Sequence, residues 1–220
     1  MHRLRDGDRR DRRAPLNERE IVRRGYDAIA ERYAAWRIDG NPASEFVADL
    51  DSRLARGSNV LELGCGNGRP AALVLADHHV YTGVDISTEQ IARARSLVPS
   101  ARFVEADYTT LDVEERSLDA VVAILTLTHV PRREHAELLA RIKRWLRPGG
   151  LFLASFGTSD LPGAVEDDWL GAPMYFSHFD AATNRRLVRE AGFAILRDEV
   201  ITMVEEEQGE ATFLWLTASA

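Results

Sequence analysis

Val60-Leu61-Glu62-Leu63-Gly64-Cys65-Gly66-Asn67-Gly68 is the stretch from which the rest of this sequence is read. A short apolar run, Asn59 to Leu63, has strand character and stops at the first of three alternating glycines. Glycine lets the chain turn with positive φ and lets a ligand approach without meeting a Cβ. Gly68 to Ala76 reads as a helix, whose first N–H groups have no partner within the helix and face outward. A second strand, His79 to Val84, is followed at once by Asp85, 21 residues beyond Gly64. An acid at that place accepts hydrogen bonds from ribose hydroxyls in nucleoside-binding α/β folds. Strand, glycine loop, helix, strand and acid form one coherent unit, and it implies a bound nucleoside.

The spacing narrows the kind of nucleoside. A dinucleotide fingerprint, G-x-G-x-x-G, would place its third glycine at position 69, which is Arg69. Glu62 precedes the loop, and a carboxylate beside a pyrophosphate is repulsive, whereas beside a cationic tail it is favourable. The implied ligand is a nucleoside with a positively charged tail. Cys65 needs only to be small and is given no redox role.

Working outward, strands and helices alternate. Ser87 to Leu97 is a helix with a capping-box pattern, Ser87 as N-cap and Gln90 three residues on. Arg102 to Ala106 is a third strand. Leu118 to Leu125 is a fourth, apolar on both faces as a fully buried strand should be. Pro131 opens the next helix, with Leu138, Leu139, Ile142 and Leu146 as its buried stripe, and Arg147-Pro148-Gly149-Gly150 ends it. Leu151 to Ser155 is a fifth strand. Asp180 caps a helix to Glu190, after which Phe193 to Val204 and Ala211 to Thr217 flank an acidic turn and pair antiparallel. Upstream, Asn17 to Ile38 and Pro42 to Leu54 read as two amphipathic helices broken at Asp39-Gly40-Asn41-Pro42. The expected fold class is α/β: a seven-stranded, mostly parallel sheet with a terminal antiparallel hairpin, preceded by two helices. The expected organisation is a flexible basic tail at 1–15, a helical segment at 16–56 and the nucleoside-binding domain at 57–220. Gly157 to Phe179 fits no element, and a loop of that length in a small domain is usually functional.

Composition sets further bounds. The chain has 220 residues, 45% of them hydrophobic and 29% charged. Its net charge of −7 is uneven, because residues 1–13 hold six Arg and three Asp, leaving −10 for the remainder. An acidic body argues against nucleic acid as the partner. No apolar run approaches the ~20 residues of a membrane span, and the N-terminus lacks the apolar core of a secretory signal. A single cysteine excludes an internal disulfide framework and a cysteine-cluster zinc site. A cytoplasmic protein is expected.

Glu62-Leu-Gly64-Cys-Gly66-Asn-Gly68 resembles motif I of the class I S-adenosylmethionine-dependent methyltransferases. Gly83-Val84-Asp85-Ile86-Ser87 resembles the next motif of that family, and Phe103-Val104-Glu105-Ala106-Asp107 the segment whose Asp meets the adenine amine. Leu118 to Val122, His129-Val130 and the Leu146 to Gly150 turn resemble later motifs, in order. The resemblance implies S-adenosylmethionine as cofactor and S-adenosylhomocysteine as product. It implies that Glu62, Gly64, Cys65, Gly66 and Gly68 meet the methionine portion. Asp85 would hold the ribose with Ile86 on the adenine, and Asp107 would accept from the adenine amine between Ala106 and Tyr108. Leu125 and Thr126 would line the floor below the sulfonium. The resemblance implies a Rossmann-like fold with an N-terminal helical lid at 16–56 and the S-adenosylmethionine-binding methyltransferase domain at 57–220. Tyr26 and Tyr33 resemble residues of that lid, which closes over the cofactor, with Tyr26 toward the acceptor; the same i, i+7 stripe also suits ordinary packing.

His129 follows the fourth strand at the carboxyl edge, where a near-neutral imidazole suits a general base; it equally suits a residue that packs or caps the loop. His178, in the long segment, is a second catalytic candidate. Trp169, Met174, Tyr175 and Phe176 give that segment the composition of a small-molecule wall, and Glu166, Asp167 and Asp168 suit either a cation or solvent. No metal is expected, because the ends of strands four and five carry Leu125-Thr126 and Phe156-Gly157 rather than carboxylates. The expected reaction is methyl transfer to a small-molecule hydroxyl, carboxylate or amine, with no nucleic-acid or membrane partner and an oligomeric state left open. The alternatives are a related protein that uses the cofactor as a scaffold for a reaction such as cyclisation, and a nicotinamide-dependent oxidoreductase.

Overall fold

Alternate residues of the two central strands are apolar on both faces, and that makes this sheet a buried one. The computed structural model describes residues 17–36, 38–206 and 208–220; the basic tail at 1–15 lies outside them. Strand β2 (Asn59–Leu63) pairs in parallel with β3 (Val80–Asp85) on one side and β5 (Leu118–Ala123) on the other. Leu61, Leu63, Val121 and Ala123 face one layer of helices, α5 (His135–Trp145) and α6 (Ala181–Glu190). Val60, Ala120 and Val122 face the other layer, α2 (Ala43–Arg53), α3 (Ala71–His78) and α4 (Thr88–Leu97). The period-two alternation of a strand thus serves two cores at once.

β4 (Arg102–Glu105) continues the parallel ladder beyond β3, and β6 (Leu146–Gly157) continues it beyond β5. β10 (Gly209–Ser219) lies antiparallel to β6, and β9 (Ala194–Glu205) antiparallel to β10. This is the predicted seven-stranded, mostly parallel sheet with its terminal hairpin. A two-residue edge strand, β1 (Ile38–Asp39), adds to β9, giving the order β1-β9-β10-β6-β5-β2-β3-β4. The reading of residues up to Ile38 as helix is corrected there: α1 (Glu18–Ala35) ends three residues earlier, and the chain turns to reach β9.

A larger correction concerns 157–179. The segment read as lacking any element forms a separate two-stranded antiparallel sheet, β7 (Leu161–Trp169) with β8 (Ala172–His178). Its turn residues, Leu170 (φ 53°) and Gly171 (φ 99°), both adopt the left-handed conformation of a tight hairpin turn. Leu-Gly is not a sequence that advertises such a turn, and residues 162–168 are exposed and largely unpatterned. Smaller shifts have local causes. α5 is preceded by a 3-10 turn at Arg132–Glu134, and Leu146, read as helix stripe, begins β6. α3 starts at Ala71 rather than Gly68, so the glycine loop is longer than predicted.

The capping box of α4 forms only half. Ser87 Oγ accepts from Gln90 N–H at 3.1 Å, but the Ser87 N–H donates to Asp85 instead of Gln90. The Gln90 amide is left buried and unpartnered beside Gly66.

α1 lies across the carboxyl ends of the parallel strands. Asp27 accepts from Ser87 Oγ at 2.7 Å, and Val22 and Ile29 pack with Trp169, Leu170 and Met174 of the hairpin. The closest approach is at Gly25, where a Cβ would lie 2.7 Å from both the Pro173 carbonyl oxygen and the Met174 methyl. Alanine would gain about 1 kcal/mol of helix propensity, but a backbone carbonyl cannot swing aside. Gly25→Ala is therefore expected to destabilise by about 1–3 kcal/mol, lowering Tm by roughly 2–4 °C for each kcal/mol. A Tm equal to or above that of the parent in thermal denaturation would show that α1 and β8 are not interlocked there.

Candidate functional site

The loop after β2 is shaped by left-handed backbone. Gly64, Gly66 and Gly68 have φ of 65°, 51° and 88°. At Gly64 a Cβ would fall 2.0 Å from Thr126 Oγ1, so any side chain there collides with the segment after β5. Cys65 is buried against Gly83, whose own Cβ would lie 2.9 Å from its sulfur. The loop is fastened to β3 by Asp85, which accepts from Gly66 N–H at 2.8 Å and from Ser87 N–H at 2.9 Å. Burial pushes the Asp85 carboxyl up to about 6, although those N–H donors oppose the shift. Glu62 is fully buried, accepts from the Tyr81 hydroxyl and is pushed by burial up to about 8.

Two cavities open above the strand ends. The first, about 70 Å³, is lined by Gly64, Gly66, Asp85, Ile86, Asp107, Tyr108 and Leu125, roofed by Arg19, Val22, Tyr26 and Tyr33 of α1. Arg19 binds Asp107 (Nε–Oδ2, 2.5 Å), Thr109 and Glu134, so α1 is latched over this cavity. The second, about 490 Å³, lies between α1, the β7–β8 hairpin and the β9–β10 turn. Its walls include Trp36, Trp169, Phe176, His178, Glu166 and Glu205. The cavities share four residues: Tyr26, Tyr33, Leu125 and His129. Leu125 holds a left-handed backbone (φ 51°), with its N–H on Ser155 Oγ at 2.7 Å. A γ-branched residue in that conformation costs about 1–3 kcal/mol, and such strain is concentrated at functional sites.

His129 has a defined tautomer. Its Nδ1 lies 2.8 Å from the Tyr175 carbonyl oxygen, which can only accept, so Nδ1 carries the proton. Nε2 is then bare and accepts from the Tyr26 hydroxyl at 2.8 Å. Burial lowers the imidazole to about 4, against the opposing Tyr175 hydrogen bond, and the ring is neutral at pH 7. A neutral, oriented proton acceptor thus sits where the two cavities meet.

Of the residues singled out from the sequence, Glu62, Cys65, Gly68 and Ala106 lie behind the first cavity rather than in its lining. Met174 is buried under α1, and Tyr175 contributes its carbonyl rather than its ring to the site. His178 lines the second cavity, but its Nδ1 is taken by the Ser159 carbonyl at 2.6 Å and it does not reach the junction. Arg19, Trp36, Ser155 and Glu205 were not anticipated. Arg19 had a signal: it falls on the same helix face as Val22, Tyr26 and Tyr33. Among the described residues, the one close cluster of metal-type ligands is Asp51, His78 and His79, which joins α2 to α3 and lines neither cavity.

Residues 60–150 match the family model of a methyltransferase domain. The chain is 32% identical over 171 residues to the 27-O-demethylrifamycin SV methyltransferase of Amycolatopsis mediterranei, covering 67% of this chain and 62% of that protein. The chain thus spans about three fifths of that relative's length. In structure it resembles the 1,6-didemethyltoxoflavin-N1-methyltransferase of Burkholderia thailandensis, solved with S-adenosylhomocysteine and 1,6-didemethyltoxoflavin bound (TM-score 0.65, 26% identity, 89% of this chain and 84% of that one). This chain carries a methyltransferase domain of the class I S-adenosylmethionine-dependent type. The cofactor of this methyltransferase family is S-adenosylmethionine, as the sequence motifs implied. The fold is also that of the [4+2]-cyclase SpnF (TM-score 0.67, 21% identity, 92% of this chain and 95% of that one). No described helix of the methyltransferase is long and apolar enough to cross a membrane.

The buried carboxyl of Glu62 makes the stability of the cofactor-free chain depend on pH. Its pKa is higher folded than unfolded, so its contribution is complete below the unfolded value near 4 and is lost as pH rises to about 8. Glu62→Gln removes that dependence while keeping an acceptor for Tyr81. The Tm difference, variant minus parent, should therefore grow in the variant's favour between pH 5 and pH 8. A constant difference across that range would mean that Glu62 is ionised in the folded protein throughout.

Proposed function

We propose that this chain transfers the methyl group of S-adenosylmethionine to a protonated nucleophile, a hydroxyl or amine, of a small molecule seated in the second cavity. The observation that carries this reading is the junction itself: the nucleoside-type cavity and the aromatic cavity meet at His129, whose bare Nε2 faces it through the Tyr26 hydroxyl. The donor set fits the cofactor. Each Asp85 oxygen has one N–H partner and keeps a lone pair for the ribose hydroxyls. Gly66 has no Cβ on the path of the methionine portion, and Ile86 offers an apolar face to the adenine. Asp107 suits the adenine amine once Arg19 lets go. A cavity of 70 Å³ does not admit a nucleoside, so α1 lifts to admit it and then closes as a lid. In this reading residues 16–56 are the lid and 57–220 the catalytic body.

The cofactor supplies an electrophilic methyl group. The chain holds the acceptor in line with it, excludes water through the aromatic walls and takes the proton. An amine that gained the methyl would keep its proton and need no base, whereas a hydroxyl that gained it, leaving the bonding pair on the departing sulfur, would become a strongly acidic oxonium. Its proton passes to Tyr26 Oη as the Tyr26 proton passes to His129 Nε2. A base near 4 suffices for an oxonium, which is far more acidic. Metal plays no part in this reading, and His178 serves as wall rather than base. The two relatives named for a rifamycin and a toxoflavin precursor support a small-molecule acceptor.

Calorimetry should show S-adenosylhomocysteine binding and no heat from NADH. Asp85→Ala should weaken S-adenosylhomocysteine by about 1.5–3 kcal/mol; micromolar NADH with silent S-adenosylhomocysteine would sink the reading.

His129→Asn should lower kcat by ~10²-fold or more with cofactor affinity unchanged. The parent rate should stay flat from pH 6 to 9, because His129 is neutral throughout that range. A full-rate His129→Asn variant would remove the base and leave proximity as the source of catalysis.

A further inference from the structure

We infer that the second cavity selects a cationic acceptor: an apolar, flat body whose positively charged nitrogen lies between Trp36, Trp169, Glu166 and Glu205, with its nucleophile at His129. The inference rests on the reading of this cavity as the acceptor site and names the chemistry that it takes.

Beside the junction the second cavity is walled by an aromatic box, whose Trp169 lies 5.8 Å from Tyr26 and 6.4 Å from His129, centroid to centroid. Trp36 and Trp169 meet edge to face, with centroids 5.5 Å apart at 87°, and Tyr33 lies 5.8 Å from Trp36 and 6.1 Å from Trp169. Rings at right angles present adjoining walls to one occupant, and the negative faces of indoles attract a cation more than a neutral group of the same shape. Trp36 is held in place by its Nε1–H on the Glu206 carbonyl at 2.8 Å. This box is separate from the place of the sulfonium, because Trp36, Trp169 and Glu205 line the second cavity and not the first.

Two carboxylates complete the box. Glu166 comes from β7 and Glu205 from the end of β9, and both line the cavity. They are close enough to repel: burial first and the Glu166 charge second push the Glu205 carboxyl up to about 7. Among the described lining residues there is no Lys or Arg to relieve that repulsion. Two carboxylates set in aromatic surroundings are unfavourable alone and favourable around a cation. An acceptor carrying a carboxylate or phosphate at this end would meet like charges.

The span of the cavity separates the two ends of the acceptor. Tyr26, Leu125 and His129 line both cavities and mark the reacting end, whereas Trp36, Glu166 and Glu205 line the second cavity alone. A quaternary or protonated nitrogen held by Trp36, Glu166 and Glu205 lies outside the first cavity, so the charge positions the molecule without being the nucleophile.

The test uses a pair of probes matched in shape and differing in charge, (4-hydroxyphenyl)trimethylammonium and 4-tert-butylphenol. Both are titrated by calorimetry into the full chain saturated with S-adenosylhomocysteine. The cation should bind at least ~tenfold more tightly than the neutral probe, the span of one modest charge interaction. Glu166→Gln/Glu205→Gln should bring the ratio near one, with S-adenosylhomocysteine affinity unchanged. Equal or tighter binding of the neutral probe, no binding of the cation, or a preference that survives in the double variant overturns the inference. The S-adenosylhomocysteine titration in the same preparation tests the methyltransferase reading by itself, so failure of one is distinguishable from failure of the other.

Discussion

One carboxylate, that of Asp85, holds the ends of two parallel strands in register at the point where ligands enter. It accepts from Gly66 N–H across the β2–β3 boundary and from Ser87 N–H at the start of α4. With the Cys65 N–H on the Val84 carbonyl at 3.0 Å, it fixes the left-handed turns at Gly64 and Gly66 against β3. Gly64 in turn sits so close to Thr126 that the segment after β5 has one path to follow. That path puts Leu125 into its strained conformation and carries the chain on to His129. The chemistry at the junction therefore descends from a buried acid two strands away. Retaining that acid in an apolar setting costs stability that a packed apolar side chain would not, as expected where binding rather than folding is served.

The parallel part of the fold was legible because each strand is bounded by glycine, proline or a helix cap and is apolar on both faces. Val60-Leu61-Glu62-Leu63 and Ala120-Val121-Val122 admit few other readings. The β7–β8 hairpin was not legible for the opposite reason. Pro162 to Asp168 is exposed, has no period-two pattern and turns at Leu170-Gly171, where the tertiary contact with α1 enforces what the local sequence does not suggest. The first cavity could be assembled from motif spacing, since Gly64, Gly66, Asp85, Ile86 and Asp107 all follow strand ends. The second could not. Trp36, Trp169 and Glu205 are brought together by α1, the hairpin and the β9–β10 turn, and no periodicity in one dimension announces that meeting.

His129 shows how a structure refines a residue type into a chemical state. The sequence offered an imidazole near neutral pKa; burial and the Tyr175 carbonyl make it a neutral ring with a fixed tautomer. That carbonyl belongs to β8, so the hairpin that walls the second cavity also orients the proton acceptor.

The contact at Gly25 has a kinetic corollary. Because the Pro173 carbonyl and Met174 abut the α1 backbone there, α1 and β8 move together. In the reading of α1 as a lid, lifting it to let a nucleoside into the first cavity carries Tyr33, Trp36 and the hairpin wall together away from Leu125 and Phe213, and closing it rebuilds the acceptor cavity. On that reading the acceptor pocket is complete only after the nucleoside is seated. Under the proposed function such a coupling would impose compulsory order on turnover: the nucleoside first in, the small molecule second, and the demethylated nucleoside last out.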